Sequence, residues 1–298
     1  MSGFTIGVIG AGAVGQSVAT LLVQERWCAR IMIAARTQQS AAGLVTDLAD
    51  MREITRSSER AQTAKVADMR ETDAVIVCPR ATFTNTATAD VRMAGLAANA
   101  LLITAVARDL AGYTGIVIVV TNPVDVLARV FATTAGENSR VHGIGSSTDS
   151  ARYRIALATH HRVPPGAVRG WVIGEHGDNA VICASTTTVN GQPAEVPLEY
   201  VRAQMSAGPA RSTPESAAPA AAPPAPSLPR CDLGVSDGTE VLSVNHDGVW
   251  LGIPLRFSTG RPTVCLPDLD PGEQRQLTAA RIKLNAAVHQ IPQGDLSC

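Results

Sequence analysis

The sequence has few aromatic residues, almost no lysine and no excess of charge of either sign. Phe, Trp and Tyr make up 3% of its 298 residues, so the stacked aromatic surfaces that bind single-stranded nucleic acid are not expected. The formal net charge is -1, and a nucleic-acid partner would require a basic patch. Lys65 and Lys283 are the only lysines, and arginine carries the remaining positive charge.

Long hydrophobic runs and cysteine frameworks are also missing. No window of about 18 apolar residues indicates a membrane span, and the first residues lack the basic start of a signal peptide. The cysteines have neither metal-type nor disulfide spacing, and they lie at Cys28, Cys78, Cys183, Cys231, Cys265 and Cys298. We therefore expect reduced thiols, no bound metal, no membrane contact and a cytoplasmic location.

Strand and helix patterns alternate over the first half of the chain. Short apolar runs predict strands at Phe4–Ile9, Arg30–Ala34, Asp73–Cys78 and Gly115–Thr121. Helical spacing predicts helices at Val14–Trp27, Ala41–Met51, Asp90–Leu110 and Thr148–His161. Apolar strands between helices are typical of a parallel sheet covered on both faces. We therefore predict an α/β fold with a doubly wound Rossmann-type parallel sheet.

The second half has a different pattern. Strands are predicted at Val168–Ile173, Val181–Val189 and Gly248–Phe257, and a terminal helix at Pro271–His289. We expect a dinucleotide-binding domain over 1–145 and a mixed α+β substrate domain over 146–298. A Pro/Ala-rich insertion at about 206–229 contains seven prolines, which is typical of an irregular loop. Its alternative role is an altered wall of an active site.

A glycine-rich motif follows the first predicted strand and opens the first predicted helix. Gly10 permits a tight turn, Gly12 lets a pyrophosphate approach the backbone, and Gly15 lets helix and strand pack closely. The helix N-terminus adds N–H donors and the positive end of its dipole. The motif predicts a dinucleotide site at Gly10, Gly12, Ala13, Val14 and Gly15.

The end of the second predicted strand indicates which dinucleotide binds. Ala35 occupies the position where NAD-binding sites usually carry an acidic residue for the ribose 2′-hydroxyl. Arg36 could pair with a 2′-phosphate instead, and Thr37 could add a hydrogen bond. We expect NADP(H) to be preferred, with NAD(H) as the alternative if Arg36 is only a solvated surface residue.

Two side chains have chemistry suited to proton transfer and to binding a carboxylate. His176, within Ile173–Asp178 (IGEHGD), suits proton transfer because imidazole titrates near neutral pH. Its alternative role is that of a structural histidine in a glycine-rich turn. Arg152 can bind a substrate carboxylate through two parallel N–H donors, a geometry that lysine does not match.

Three sequence blocks resemble the L-lactate/malate dehydrogenase superfamily, namely Thr121–Asp125, Asp149–Arg154 and Ile173–Asp178. They occur in the family's order and at similar spacing. The resemblance covers most of the chain except Ser206–Glu240. It implies hydride transfer between a nicotinamide cofactor and C2 of a small 2-oxo or 2-hydroxy acid, in a homodimer or homotetramer.

The resemblance also implies roles for single residues. Asp149 becomes the carboxylate that orients His176, and Asn122 lies near the substrate oxygen and the nicotinamide. Because Asp149 and Arg152 are three residues apart, both should project from nearly the same helix face. Arg154 lies off that face, which favours a structural role.

In the family, a loop arginine polarises the substrate carbonyl. Counting back from Asn99 places Arg92 at that position, whereas counting forward from Cys78 places Ala89 there. We favour Arg92, with Arg80 as the fallback. The same two ways of counting put Phe83 or Thr86 at the position where malate-type enzymes have a further arginine for the second carboxylate. Neither residue is charged, which argues against malate as the substrate unless Arg80 reaches it.

Two other functions remain open on the sequence. Arg152 as the carboxylate anchor and His176 as the proton donor would equally serve the reduction of a cyclic imine that bears a carboxylate. Alternatively, the protein could bind the nucleotide without turnover, as a sensor, because the Pro/Ala-rich segment replaces a pocket wall. Consumption of NADPH across a substrate panel discriminates the sensor from the enzyme.

Overall fold

The computed structural model describes residues 3–84, 92–136, 140–206 and 227–291. The strands in these ranges are β1 (Phe4–Ile9), β2 (Cys28–Ala34), β3 (Arg60–Thr63), β4 (Ala74–Val77), β5 (Ile116–Val119), β6 (Arg140–Gly143), β7 (Val168–Arg169), β8 (Val172–Gly174), β9 (Ala180–Ile182), β10 (Thr188–Val189), β11 (Gln192–Pro193), β12 (Gly238–His246), β13 (Val249–Ser258) and β14 (Arg261–Val264). The α-helices are α1 (Ala13–Leu22), α2 (Gln38–Thr55), α3 (Leu96–Asp109), α4 (Val124–Ala135), α5 (Ser146–His161), α6 (Leu198–Ser206), α7 (Ser227–Asp232) and α8 (Pro271–Val288).

The first six strands form a parallel sheet in the order β3-β2-β1-β4-β5-β6. Every residue of β4 and β5 is buried, because helices cover both faces of a sheet of this kind. The α/β Rossmann-type fold is therefore confirmed. The carboxyl ends of parallel strands meet at one edge, which is where ligands bind in this architecture.

The second half extends the same sheet with antiparallel strands. β12 pairs with β6 at Ser243 and Gly143, and β13, β8 and β9 continue outward from β12. A separate small sheet has the order β11-β10-β7. This half is thus mixed α+β, while the boundary at residue 145 stays a prediction.

Two strand predictions in the second half were wrong in extent. Val168–Ile173 divides into β7 and β8, which belong to different sheets. The break falls at Gly170, where an added Cβ would lie 2.6 Å from the Tyr153 ring. Val181–Val189 divides into β9, a 3-10 turn and β10. Most of the Pro/Ala-rich insertion, residues 207–226, lies outside the described residues.

Two further observations concern the apolarity of the helices and the state of the cysteines. None of the described helices combines the length and the apolarity that crossing a membrane requires. The five cysteines within the described ranges are free thiols, and Cys298 lies outside those ranges. For Cys28, Cys78 and Cys183, burial raises the thiol pKa to about 12, which disfavours the reactive thiolate.

Candidate active site

The glycine-rich turn lies at the carboxyl end of β1. Gly10 has a φ of +114°, and an added Cβ would lie 2.8 Å from the Pro79 nitrogen. A Cβ on Gly15 would collide with the Gly10 carbonyl oxygen, so only glycine allows α1 to pack this closely. At Gly12 an added Cβ would meet no described atom within 4 Å. Gly12 therefore borders open space at the start of α1.

The N-terminus of α1 fits an anionic group. Its N-cap, Gly12, supplies no side-chain hydrogen bond, and the first turn contains no acidic residue. The leading N–H groups of a helix without such a cap are available to a phosphate. Ala13 and Val14 begin the helix at this point. The residues thus fit the pyrophosphate of a dinucleotide.

The residues after β2 are already engaged in local contacts. The exposed Arg36 donates to the Thr82 hydroxyl at 3.2 Å and to the Arg80 carbonyl at 3.1 Å. Thr37 caps α2 by accepting from the Ser40 N–H at 3.1 Å. Ala35 is half-buried. Arg36 uses two of its five N–H donors in these contacts, which leaves donors for a phosphate.

His176 and Asp149 form a buried pair. His176 Nδ1 lies 2.6 Å from Asp149 Oδ2, and the side chains are 8% and 7% exposed. Because an ionised carboxylate only accepts hydrogen bonds, this contact places a proton on Nδ1. Nε2 is then the ring nitrogen that can exchange a proton with a ligand.

Arg152 lies one helical turn from Asp149 on α5. Its Nη1 is 3.6 Å from Asp149 Oδ1, and its side chain is 24% exposed. Arg152 and His176 therefore contact the two oxygens of one carboxylate. The guanidinium is accessible from one side and can offer paired N–H donors to a second carboxylate.

Glycine also determines where the His176 ring lies. Gly145, at the N-cap of α5, faces this ring, and an added Cβ would lie 2.5 Å from both Cβ and Cγ of His176. A substitution at Gly145 would thus displace either the histidine or the helix that carries Asp149.

Arg92 lies close enough to Asp149 for its positive charge to lower the pKa of that carboxyl. Burial raises the pKa of Asp149, but the charge and hydrogen bond of His176 and the charges of Arg92 and Arg152 lower it below its ordinary value of 3.8. Asp149 is therefore an anion at neutral pH and can accept hydrogen bonds through both oxygens. Arg92 is half-buried and directly precedes the turn that leads into α3.

The fallback residue Arg80 has a different environment. Its guanidinium carbon lies 4.6 Å from the centroid of the Phe83 ring, a cation–π geometry. Residues 85–91, including Thr86 and Ala89, lie outside the described residues.

Asn99 joins two loops at this edge of the sheet, a role that its position in the sequence does not indicate. The Ala81 N–H donates to its Oδ1 at 2.8 Å, and its Nδ2 donates to the Asn122 carbonyl at 2.8 Å. The side chain of Asn122 is exposed at the carboxyl end of β5. Asn99 thereby couples the loop after β4 to the residue expected beside the nicotinamide.

Two carboxylates missed by sequence reasoning anchor the His176 loop. Asp125, on α4, accepts the His176 N–H at 2.8 Å. Glu175 accepts from Lys283 Nζ of α8 at 2.8 Å and from the Asn179 N–H at 3.2 Å. In the sequence, this role could have been inferred only from their positions within the blocks Thr121–Asp125 and Ile173–Asp178, which resemble the family. Among the described residues, no group of three or more His, Cys, Asp or Glu side chains is arranged to hold a metal ion.

The family model described as "lactate/malate dehydrogenase, NAD binding domain" matches residues 4–143. Over these residues the chain belongs to the L-lactate/malate dehydrogenase superfamily. The match covers β1 to β6, the glycine-rich turn and Asn122, which together form the NAD-binding domain of that family.

Two curated relatives match about two thirds of this chain. L-lactate dehydrogenase 2 of Lactococcus lactis subsp. lactis is 31% identical over 197 residues, which are 65% of this chain and 61% of the relative. L-lactate dehydrogenase of Treponema denticola is 32% identical over 188 residues, which are 62% of this chain and 58% of the relative. The chain therefore matches about 60% of the length of these relatives.

Solved structures of the superfamily share the fold over nearly the whole chain. The minor L-lactate dehydrogenase from Enterococcus mundtii has a TM-score of 0.88 at 21% identity, covering 98% of this chain and 99% of its own. The malate dehydrogenase from Plasmodium falciparum has a TM-score of 0.84 at 18% identity, covering 96% and 98%. Because both sequence identities are low, this structural similarity establishes the fold alone.

The environment of Asp125 predicts an effect of pH on stability. Burial raises its pKa from 3.8 to about 6, although the His176 N–H opposes this shift. The folded state then binds the proton more tightly than the unfolded state, so stability falls as pH rises from about 4 to about 6. Asp125→Asn cannot ionise, and its free energy of unfolding should gain about 3 kcal/mol relative to the parent protein between pH 4 and pH 7.

Urea unfolding at both pH values measures this difference. Asp149→Asn is the matched control, because the lowered pKa of Asp149 gives its ionised form a stabilising contribution that is lost as pH falls. Because that loss occurs below about pH 4, the difference in unfolding free energy between Asp149→Asn and the parent should stay nearly constant between pH 4 and pH 7. A difference between Asp125→Asn and the parent that stays constant from pH 4 to pH 7 would contradict the assignment of a raised pKa.

Proposed function

We propose that the protein transfers a hydride between a nicotinamide dinucleotide and C2 of a small 2-oxo or 2-hydroxy acid. The observation that carries this proposal is the contact of His176 and Arg152 with opposite oxygens of Asp149. The group lies beside Gly145, just beyond β6 and at the sheet edge where β1 leads into the glycine-rich turn. A proton donor and a carboxylate anchor are thus adjacent at the ligand-binding edge of a Rossmann-type sheet.

Each side chain has one task in this proposal. Arg152 binds the substrate carboxylate through its paired N–H donors. His176 donates the Nε2 proton to the C2 oxygen during reduction, and Asp149 stabilises the imidazolium and holds Nδ1 protonated. Arg92 polarises the same oxygen, and the Asn122 side chain lies beside the reacting atoms. The bound dinucleotide supplies or accepts the hydride.

A substrate panel tests this function. Purified protein is mixed with NADPH or NADH and a set of 2-oxo acids and cyclic imines bearing a carboxylate, and the loss of absorbance at the nicotinamide band is followed. We expect consumption with at least one 2-oxo acid. Consumption only with a cyclic imine would favour imine reduction, and nucleotide binding without consumption across the panel would favour a sensor.

We further propose that NADP(H) is preferred, with NAD(H) as the alternative. Ala35 leaves room for a 2′-phosphate, and Arg36 retains free N–H donors near it. Arg36→Ala should lower kcat/KM for NADPH about 10- to 100-fold, the loss expected for one or two hydrogen bonds to a charged group, and should change the value for NADH little.

Thr82→Val is the matched control for this change. It removes a hydrogen-bond partner of Arg36 but keeps the charge, so the ratio of the two kcat/KM values should stay within about threefold of the parent ratio. Equal losses for NADPH and NADH in Arg36→Ala would contradict the cofactor preference. The homo-oligomeric state stays a prediction.

A further inference from the structure

The backbone of His176 is hydrogen-bonded to a carboxylate on a different element from Asp149. Asp125 lies in the first turn of α4, three residues after Asn122. Its Oδ2 accepts the His176 N–H at 2.8 Å, and the residue is 3% exposed. Among the described residues, its other oxygen makes no close hydrogen bond, although the neighbouring Ser243 hydroxyl helps to lower its pKa. One carboxylate thus contacts the His176 main chain and another contacts its ring.

Three contacts from three directions determine where the imidazole lies. Asp149 holds Nδ1, Gly145 packs against the ring, and Asp125 holds the main-chain N–H. The loop between β8 and β9 contains only five residues, and β8 ends at Gly174 with a φ of +81°. Without the Asp125 contact, the loop backbone could shift although the ring would retain its partner.

Burial of Asp125 makes its charge costly. A carboxylate at this depth carries a desolvation penalty, and burial raises its pKa to about 6. An amide of the same shape could accept the same N–H without that penalty. The hydrogen bond to the His176 backbone, and not the negative charge, is therefore the feature that a positioning role requires.

We propose that Asp125 is a positioning residue for proton transfer, fixing the His176 backbone so that Nε2 points at the substrate oxygen. This inference rests on the proposed function of His176. Asp125 accepts from the backbone of His176 and makes no described contact with its ring, so it acts through the histidine and does not itself exchange the proton.

Kinetics of Asp125→Ala test this role. Displacement of a proton donor by about 1 Å lowers rates by up to about 100-fold, so kcat should fall about 10- to 100-fold while the dissociation constant of the dinucleotide stays unchanged. Asp125→Asn keeps an oxygen acceptor of the same shape and should recover kcat to within about threefold of the parent.

Glu273→Ala provides a matched structural control. Glu273 is also a buried carboxylate that accepts a backbone N–H from another element, that of Ser185 at 2.8 Å. Glu273 also accepts from the Ser185 hydroxyl and the Asp270 N–H, so its loss should lower the melting temperature at least as much as the loss of Asp125. It should nevertheless leave kcat below that temperature within about twofold of the parent. A kcat in Asp125→Ala no lower than in Glu273→Ala, or no recovery in Asp125→Asn, would overturn the proposal.

A spectroscopic readout separates this inference from the proposed function. The Nδ1 proton of His176, hydrogen-bonded to Asp149, gives a downfield proton resonance that does not depend on turnover. We expect this resonance to move or broaden in Asp125→Ala, or in Asp125→Ser if the alanine variant does not fold, and to return in Asp125→Asn. An unchanged resonance in Asp125→Ala or Asp125→Ser overturns the positioning role, whereas a parent protein that consumes no substrate overturns the proposed function.

Discussion

Replacing His176 by alanine is expected to lower kcat about 10²- to 10⁴-fold, the usual contribution of a general acid or base. The reason is the pair with Asp149 at 2.6 Å, which commits Nδ1 to the carboxylate and leaves Nε2 as the proton donor. Cofactor affinity should stay within about twofold, because His176 lies outside the glycine-rich turn. Steady-state kinetics and a binding titration measure both quantities.

The control for this substitution is a more exposed histidine that also lies near a carboxylate. His246 Nε2 lies 3.6 Å from Asp247 Oδ2 at the end of β12, and His246→Ala should leave kcat within about twofold of the parent. Asp149→Asn should lower kcat strongly without removing the imidazole, because an amide can donate to Nδ1 and favour the wrong tautomer. Turnover that survives in His176→Ala would show that another group donates the proton.

Replacing Arg152 by lysine is expected to lower kcat/KM for the 2-oxo acid about 10- to 100-fold. The substitution keeps the positive charge beside Asp149 but removes the planar fork, so one hydrogen bond to the substrate carboxylate is lost. A hydrogen bond to a charged group contributes about 1.5–3 kcal/mol to the free energy of binding. The loss should appear mainly in KM for the acid, while KM for the dinucleotide should change little.

Arg154→Lys is the matched control on the same helix. Its guanidinium donates to the Gly170 carbonyl at 3.5 Å and lies 5.6 Å from the centroid of the Trp171 ring. These are local packing contacts, so kcat/KM should stay within about twofold of the parent. Comparable losses in Arg152→Lys and Arg154→Lys would contradict a specific role for Arg152 in binding the acid.

Features set by local patterns could be predicted from the sequence. The apolar runs of β1, β4 and β5 and the glycines between β1 and α1 indicated the parallel sheet and its turn, because local steric requirements determine both. The three-residue spacing placed Asp149 and Arg152 on one face of α5 for the same reason. The resemblance added the pairing of Asp149 with His176, which no spacing indicates.

Features that depend on distant contacts could not be predicted. β6 was missed because its sequence contains Arg140 and His142, which do not form an apolar run. The structure pairs both with Asp232, far along the chain, at 2.9 Å each. Likewise, nothing local shows that Gly145 packs against His176, because this contact joins residues from separate elements.

In the proposed complex, a small acid lies between His176 and Arg152 beside the dinucleotide. The decisive measurement is a crystal structure with the preferred dinucleotide and oxamate, an unreactive analogue of a 2-oxo acid. We expect the oxamate carboxylate on the Arg152 guanidinium and the oxamate amide oxygen within hydrogen-bond distance of His176 Nε2. Oxamate bound away from both side chains, with the nicotinamide ring remote from them, would rule out this site.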